Sequence, residues 1–160
     1  MIDDIDRSIL TILQQNARTA AAEIARQVGL APSAVFERIR KLEERGVIES
    51  YTVRLGTRML GLGQVAFVFV RADERAGAPI TGKALIALPE VLEVHHVAGE
   101  DCFLLKVRAT DTEAIGRLLN EKLGAIRTVQ STRTTIVLDT LKETSSLPLP
   151  AATRAPGRSK

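Results

Sequence analysis

The residue pattern predicts an α+β chain of two modules, a three-helix unit followed by a βαββαβ unit, and three observations carry that prediction. Apolar residues recur at helical spacing through roughly the first 45 positions. From 65 to 141 the period switches between two and 3.6 in the order strand, helix, strand, strand, helix, strand, the ferredoxin-like arrangement. Between them Gly56, Gly61 and Gly63 interrupt both periods. The predicted division is 1–55 for the helical module, 56–64 for a linker, 65–141 for the sheet module and 142–160 for a flexible basic tail.

Ile2, Ile5, Ile9, Ile12 and Leu13 form one face of a first helix that ends near Asn16, with Asp3, Asp4 and Asp6 at its positive end. Thr19 is placed to cap a second helix bearing Ile24, Ala25 and Val28, and Gly29 supplies the left-handed residue that stops it. Pro32 suits the first turn of a third helix, Pro32 to Arg45, with Val35, Ile39 and Leu42 inward and Gly46 after it. Ile48 to Leu55 alternates like a strand and reads as a short wing or connector.

In the second module Val65 to Ala72 is a buried-type strand and Ile80 to Leu88 a helix that Pro89 ends. Val91 to Ala98 follows, with Leu92, Val94 and His96 expected on one face, then a turn at Gly99-Glu100-Asp101 into Cys102 to Ala109. Thr110-Asp111-Thr112-Glu113 has the form of a capping box before Ile115, Leu118, Leu119 and Leu123, and Val129 to Leu141 alternates as the last strand. Two helices cover only one sheet face. The economical cover for the other is the same face of a second copy, which predicts a homodimer or larger.

Hydrophobic residues make up 45% and aromatics 3%, with no Trp, so the core is aliphatic and the chain globular. Residues 1–55 hold eight basic and eight acidic side chains, and 56–141 ten of each; the excess behind the net charge of +3 lies from 142 on. Any nucleic-acid surface must therefore come from local placement of charge. The acidic start lacks the n-region of a signal peptide and the apolar runs are too short for a bilayer, which predicts no membrane partner and a cytoplasmic protein. Cys102 is the single cysteine, so an intrachain disulfide and CxxC sites are excluded.

Ala25, three residues, Gly29 and a helix start shortly after is helix-turn-helix spacing, and it predicts double-stranded DNA as partner. The DNA-facing candidates on the third helix are Ser33, Ala34, Phe36, Glu37, Arg38, Arg40 and Lys41. Short side chains at its start admit it to a major groove, and Arg and Lys further along reach phosphates or guanine edges. A solvated face of charge pairs is the competing reading of the same residues, and the turn before them tips the balance to DNA. Ala31 precedes Pro32 where a capping Ser or Asp would stand, which forgoes about 1 kcal/mol.

Ile5-Asp6-Arg7, Asn16-Ala17-Arg18, Glu23-Ile24-Ala25, Val28-Gly29-Leu30, Arg38-Ile39 with Leu42-Glu43 and Gly46-Val47-Ile48, and Tyr51 together resemble the leucine-responsive/asparagine-responsive (Lrp/AsnC) regulator family. The likeness continues through Gly99 to Leu105 and Thr132-x-Thr134, covering about residues 2 to 142. The resemblance implies a winged helix-turn-helix joined to the family's effector (RAM) domain, dimers assembling into tetramers or octamers, and a small effector, commonly an amino acid. It also implies effector contacts from Gly99, Glu100, Asp101 and Cys102 with Thr132 and Thr134. Gly99 lets a ligand approach the backbone, the carboxylates suit an ammonium group and the threonine hydroxyls a carboxylate. This chain departs from the commoner family turn, with Asp101 where an aromatic residue usually lies and Cys102 where an Asp does.

Other signals are weaker. His95 and His96 are adjacent in a strand and point to opposite faces, poor geometry for one metal. The carboxylates beside Cys102 raise a thiol pKa and disfavour redox sensing. Glu100 and Asp101 have no nucleophile, metal cluster or phosphate loop at useful spacing. The expectation is a regulator with no catalytic residue, no metal and no cofactor. Two alternatives stand beside it, a sirohaem-decarboxylase-like enzyme using a histidine, and an architectural DNA-binding protein without effector.

Overall fold

A computed structural model describes residues 2–73 and 80–149. The chain divides into two compact units, one formed by residues up to Arg54 together with those from Glu143 on, the other by Leu55–Lys142.

The first unit contains α1 (Asp4–Gln15), α2 (Ala21–Val28) and α3 (Pro32–Glu44). Ile9, Ile24, Ala25 and Val35 are buried at their junction, with Ile5, Ile12, Leu13, Val28, Leu30 and Ile39 packed around them. Burying each large aliphatic side chain stabilises by about 1.5–3 kcal/mol, enough to offset the poor intrinsic stability of helices this short. Asp3 caps α1 in a capping box with Asp6. Thr19 does not cap α2 as expected; its hydroxyl donates to the Asn16 carbonyl, and the N-cap is Ala20 with no side-chain bond. Gly29 takes φ 71° and closes α2 through its N–H to Ala25, whose carbonyl also accepts from Leu30. Ile48 to Leu55 is not a strand in the single chain, because an alternating segment needs a partner and none runs beside it among the described residues. Tyr51, Val53 and Leu55 are exposed there.

The second unit carries β1 (Gln64–Ala72), α4 (Ile80–Ile86), β2 (Val91–His96), β3 (Phe103–Ala109), α5 (Thr112–Arg117, running on as a π-helical turn over Leu118–Leu123) and β4 (Val129–Ile136). The sheet is antiparallel in the order β2-β3-β1-β4, so the βαββαβ expectation is met. Ala66, Val68 and Val70 of β1 and Leu105, Val107 and Ala109 of β3 face Leu85, Ile115, Leu118 and Leu123 from the helices. Odd positions of β1 and even positions of β3 point the other way, as the pleat requires.

Three local expectations are corrected. Leu92 does not share a buried face with Val94: a bulge puts two residues of β2 opposite one of β3, since Val91 pairs with Val107 and Glu93 with Lys106. Val91 and Val94 therefore both reach the core, and Leu92 is 53% exposed. The helix after β3 is capped by Asp111, not Thr110; Asp111 Oδ1 accepts from the Ala114 amide at 2.7 Å, and the Thr110 hydroxyl donates to Asp111. Finally, β4 ends at Ile136, with a last bond to β1 from the Val137 amide to Val65 O, and Leu138 and Leu141 beyond it are exposed.

The loop ahead of β1 is closed by Leu62 N–H to Thr57 O, with Gly61 at φ 72°. Arg108 of β3 pins it by donating to the Thr57 hydroxyl and the Leu62 carbonyl at 3.0 and 3.2 Å.

The widened turn after α5 brings the Asn120 carbonyl against Gly124, where an added Cβ would lie 2.6 Å from the oxygen. We expect Gly124→Ala to lower stability by about 1–3 kcal/mol, the usual cost of overpacking, measurable as a drop in the thermal midpoint.

Candidate DNA interface and effector turn

The exposed side of α3 begins at Ser33 and Phe36, the latter 62% exposed, with Ala34 half-buried between them. An apolar ring beside a hydroxyl at a helix start is a surface able to meet a thymine methyl and a base edge or phosphate. Arg40 is occupied by neighbours on its own helix, with Glu37 at 2.8 Å and Glu44 at 2.5 Å. Glu37 is held below the ordinary carboxylate range chiefly by that hydrogen bond from Arg40.

Arg38 is committed elsewhere. Its guanidinium donates to Asp3 and to Asp6, each at 2.7 Å, and Asp6 is only 7% exposed. The two carboxylates that close the capping box of α1 thus also bind α1 to α3. Asp3 is lowered from the ordinary aspartate value of 3.8, first by the Asp6 amide, with burial opposing and Arg38 adding to the lowering. The cations left exposed on this face, with no ion pair to any described residue, are Lys41 and Arg45. They line a shallow depression of about 350 Å³ with Asp6, Ala34 and Arg38. Arg45 was not among the expected contacts; its place one turn beyond Lys41 was a usable signal. Tyr51 donates to Glu43 at 2.8 Å, and burial followed by that carboxylate pushes its hydroxyl up to about 12.

In the second unit the turn between β2 and β3 lies at the sheet end reached by Thr132. Cys102 N–H donates to Val70 O, and Val70 pairs across β1 with Thr132. Thr134 lies two residues further along β4, beside Val68, on the helix-covered face. Gly99 has φ 144°, a conformation that disfavours side chains, and nothing lies within 4 Å of where its Cβ would be. The structure therefore brings Gly99, Glu100, Asp101 and Cys102 to one end of the sheet with Thr132, and Thr134 slightly inward. Asp101 is not a free carboxylate: Arg133 donates to it at 2.8 Å while lying 4.0 Å over the Phe69 ring. Glu100 has no ion pair to any described residue. The Cys102 thiol donates to Ala72 O at 3.4 Å.

The two histidines diverge as expected. His95 meets Glu93 at 3.3 Å, and the His96 ring lies 5.1 Å from that of Phe103. Among the described residues no group of three His, Cys, Asp or Glu is placed to hold a metal, and no helix is long and apolar enough to cross a membrane.

A family model for the Lrp/AsnC ligand binding domain matches residues 65–147, and one for a winged helix-turn-helix DNA-binding domain matches residues 2–49. The chain belongs to the Lrp/AsnC family. It is 36% identical over 150 residues to the leucine-responsive regulatory protein of Klebsiella pneumoniae, covering 91% of this chain and 90% of that one. A transcriptional regulator of Neisseria meningitidis solved as an L-methionine complex superposes with a TM-score of 0.87 at 31% identity, over 92% of this chain and 97% of the other. The feast or famine regulatory protein of M. tuberculosis, also complexed with L-methionine, gives 0.84 at 32% identity, over 92% and 99%. This Lrp/AsnC protein is therefore a transcriptional regulator with a DNA-binding helix-turn-helix and a ligand-binding domain.

Arg38→Ala strands the buried Asp6, and we expect it to cost the protein about 2–3 kcal/mol by thermal melt. Because folding lowers the Asp3 pKa, that carboxylate's contribution is complete above 3.8 and is lost as pH falls through the lowered value. The gap between wild type and variant should accordingly narrow on acidification below about pH 4.

Proposed function

We propose that this regulator senses an amino acid at the Gly99–Cys102 turn and converts its binding into a shift between assemblies that hold DNA differently. The observation that carries the reading is the turn itself, where an open glycine at positive φ adjoins the free carboxylate of Glu100 at the sheet end of Thr132. Two similar proteins hold L-methionine, which supports an amino acid as the ligand class. Glu100 takes the ammonium group, the role left to it by the Asp101–Arg133 pair. Thr132 and Thr134 serve the carboxylate. Such binding changes transcription only through differential affinity for one assembly over another.

Assembly starts from the sheet face the helices leave open. Phe67, 36% exposed, and Phe69 lie there among the Glu93–Lys106 and Asp101–Arg133 ion pairs. An apolar centre with a charged rim suits an isologous contact, so the reading is a homodimer through this face, with tetramers or octamers built from dimers. On DNA, Ser33, Ala34 and Phe36 meet the bases, Lys41 and Arg45 meet phosphates, and Arg38 acts by positioning α3 against α1. Glu37 and Arg40 join the interface by exchanging their mutual pair for DNA. The reading assigns no catalytic step, and the protein works at the nucleoid.

Differential scanning fluorimetry against the twenty amino acids tests the sensor: a ligand at 100 times its Kd stabilises by about 2.7 kcal/mol. A selective shift is expected, reduced at least about tenfold in ligand affinity by Glu100→Gln with DNA affinity retained; a flat panel overturns the amino-acid assignment. Phe67→Asp is expected to yield monomers in light scattering. Lys41→Ala should lower the salt slope of DNA binding by about 0.9 with the thermal midpoint unchanged.

A further inference from the structure

Helix α3 presents two stripes. With 3.6 residues to a turn, Ser33, Phe36 and Arg40 share one side. Ala34, Arg38, Lys41 and the capping residue Arg45 share another, roughly a third of a turn around. The first stripe carries a hydroxyl and an aromatic ring, and its Arg40 is held by Glu37 and Glu44. The second borders the shallow depression of about 350 Å³.

The charges around that depression favour an anion. Asp6 and Glu37 line it, but the Arg38 guanidinium offsets Asp6 at 2.7 Å and Arg40 offsets Glu37 at 2.8 Å. Lys41 and Arg45 line it too and have no ion pair to any described residue. The positive charge left over one concavity is therefore theirs. Glu37, lowered first by its bond from Arg40, is lowered also by the charge of Lys41. A helix in a major groove about 12 Å wide turns one side to the base edges and a side around from it to a backbone wall. Base contacts specify and phosphate contacts position, and the two stripes of α3 fit that division.

We propose that the depression is a seat for one phosphate group, held jointly by Lys41 and Arg45, and that the Arg38–Asp6 pair makes the seat usable by cancelling the carboxylate beside it. Where the phosphate belongs to a duplex backbone, the seat rests on the DNA-binding reading of α3; a free phosphate ion is the other source of the same chemistry. On a duplex, an occupied seat fixes the rotation of α3 about its own axis, and so decides that Ser33 and Phe36 face the bases. A helix C-terminus attracts cations without any ligand, and the experiment separates that role from a seat.

Salt dependence counts the phosphates that a protein neutralises, at about 0.9 in slope for each, and so tells one shared phosphate from two. Fluorescence anisotropy on a generic duplex of about 30 base pairs, between about 50 and 200 mM salt, compares wild type, Lys41→Ala, Arg45→Ala and the double variant. Because the seat needs both cations, each single variant is expected to lower the slope by about 0.9, and the double variant by no more. A drop of about 1.8 in the double variant gives each cation its own phosphate and overturns the seat while leaving DNA binding in place. Unchanged slopes, with or without a lowered thermal midpoint, leave both cations to the helix terminus and overturn it as well. Inorganic phosphate at matched ionic strength separates the sources. A midpoint raised in wild type and not in the double variant shows that free phosphate also occupies the seat, and no shift beside the expected slopes assigns it to the duplex backbone. A wild-type chain that binds phosphate but not the duplex overturns the DNA reading and keeps the seat; one that binds neither overturns both.

Discussion

One-sided cover of a four-stranded sheet is the constraint on which the ligand-binding unit depends. The pleat sends Val68, Val70, Leu105 and Val107 to one face, where α4 and α5 bury them with Leu85, Ile115 and Leu118. It sends Phe67, Phe69 and Leu104 to the other, which α4 and α5 do not cover. Two ion pairs lie on that open face, Lys106 with Glu93 and Arg133 with Asp101. Paired charges oppose burial less than an unpaired charge does, so the pairs leave the face easier to cover. Arg133 also links the open face to the turn carrying Gly99 and Glu100.

The DNA-binding unit faces a different constraint, the conflict between fold and function over arginine. Three short helices bury a small core, and the Asp3–Asp6–Arg38 cluster adds a bond between the first and third that apolar contact alone does not provide. A guanidinium used in this way is lost to phosphate binding. Arg40 is likewise engaged by Glu37 and Glu44, although exposed pairs of this kind contribute little stability and are exchanged readily for a phosphate. The asymmetry lies in burial: Arg38 is half-buried and tied to another helix, whereas Arg40 is exposed and pairs only within its own.

Much of the fold was legible because its signals are local. Gly29 at a left-handed position, Pro32 at a helix start and the alternation through β1 and β3 each state a backbone conformation that the structure adopts. Misplaced features came from competition between near-equal local options. Asp111 displaced Thr110 as cap, Ala20 stood where Thr19 was expected, and a bulge between Val91 and Glu93 turned Leu92 outward. Spacing marked α3 and the family resemblance marked the effector turn as candidate sites, yet neither gave a sign that Asp101 is paired, that Arg38 is spent inside the unit or that Arg45, like Lys41, has no ion pair among the described residues.

By itself the sequence determined the order of elements, the family and the residue types available for binding, because periodicity, capping and glycine positions are properties of short stretches of chain. Only the tertiary structure decided which of those residues are free. Arg38 meets Asp3 and Asp6 across 35 and 32 positions, Arg133 meets Asp101 across 32, and Gln14 meets Leu147 across 133. Partners so far apart in sequence are chosen by how helices and strands pack, and no local pattern encodes that choice.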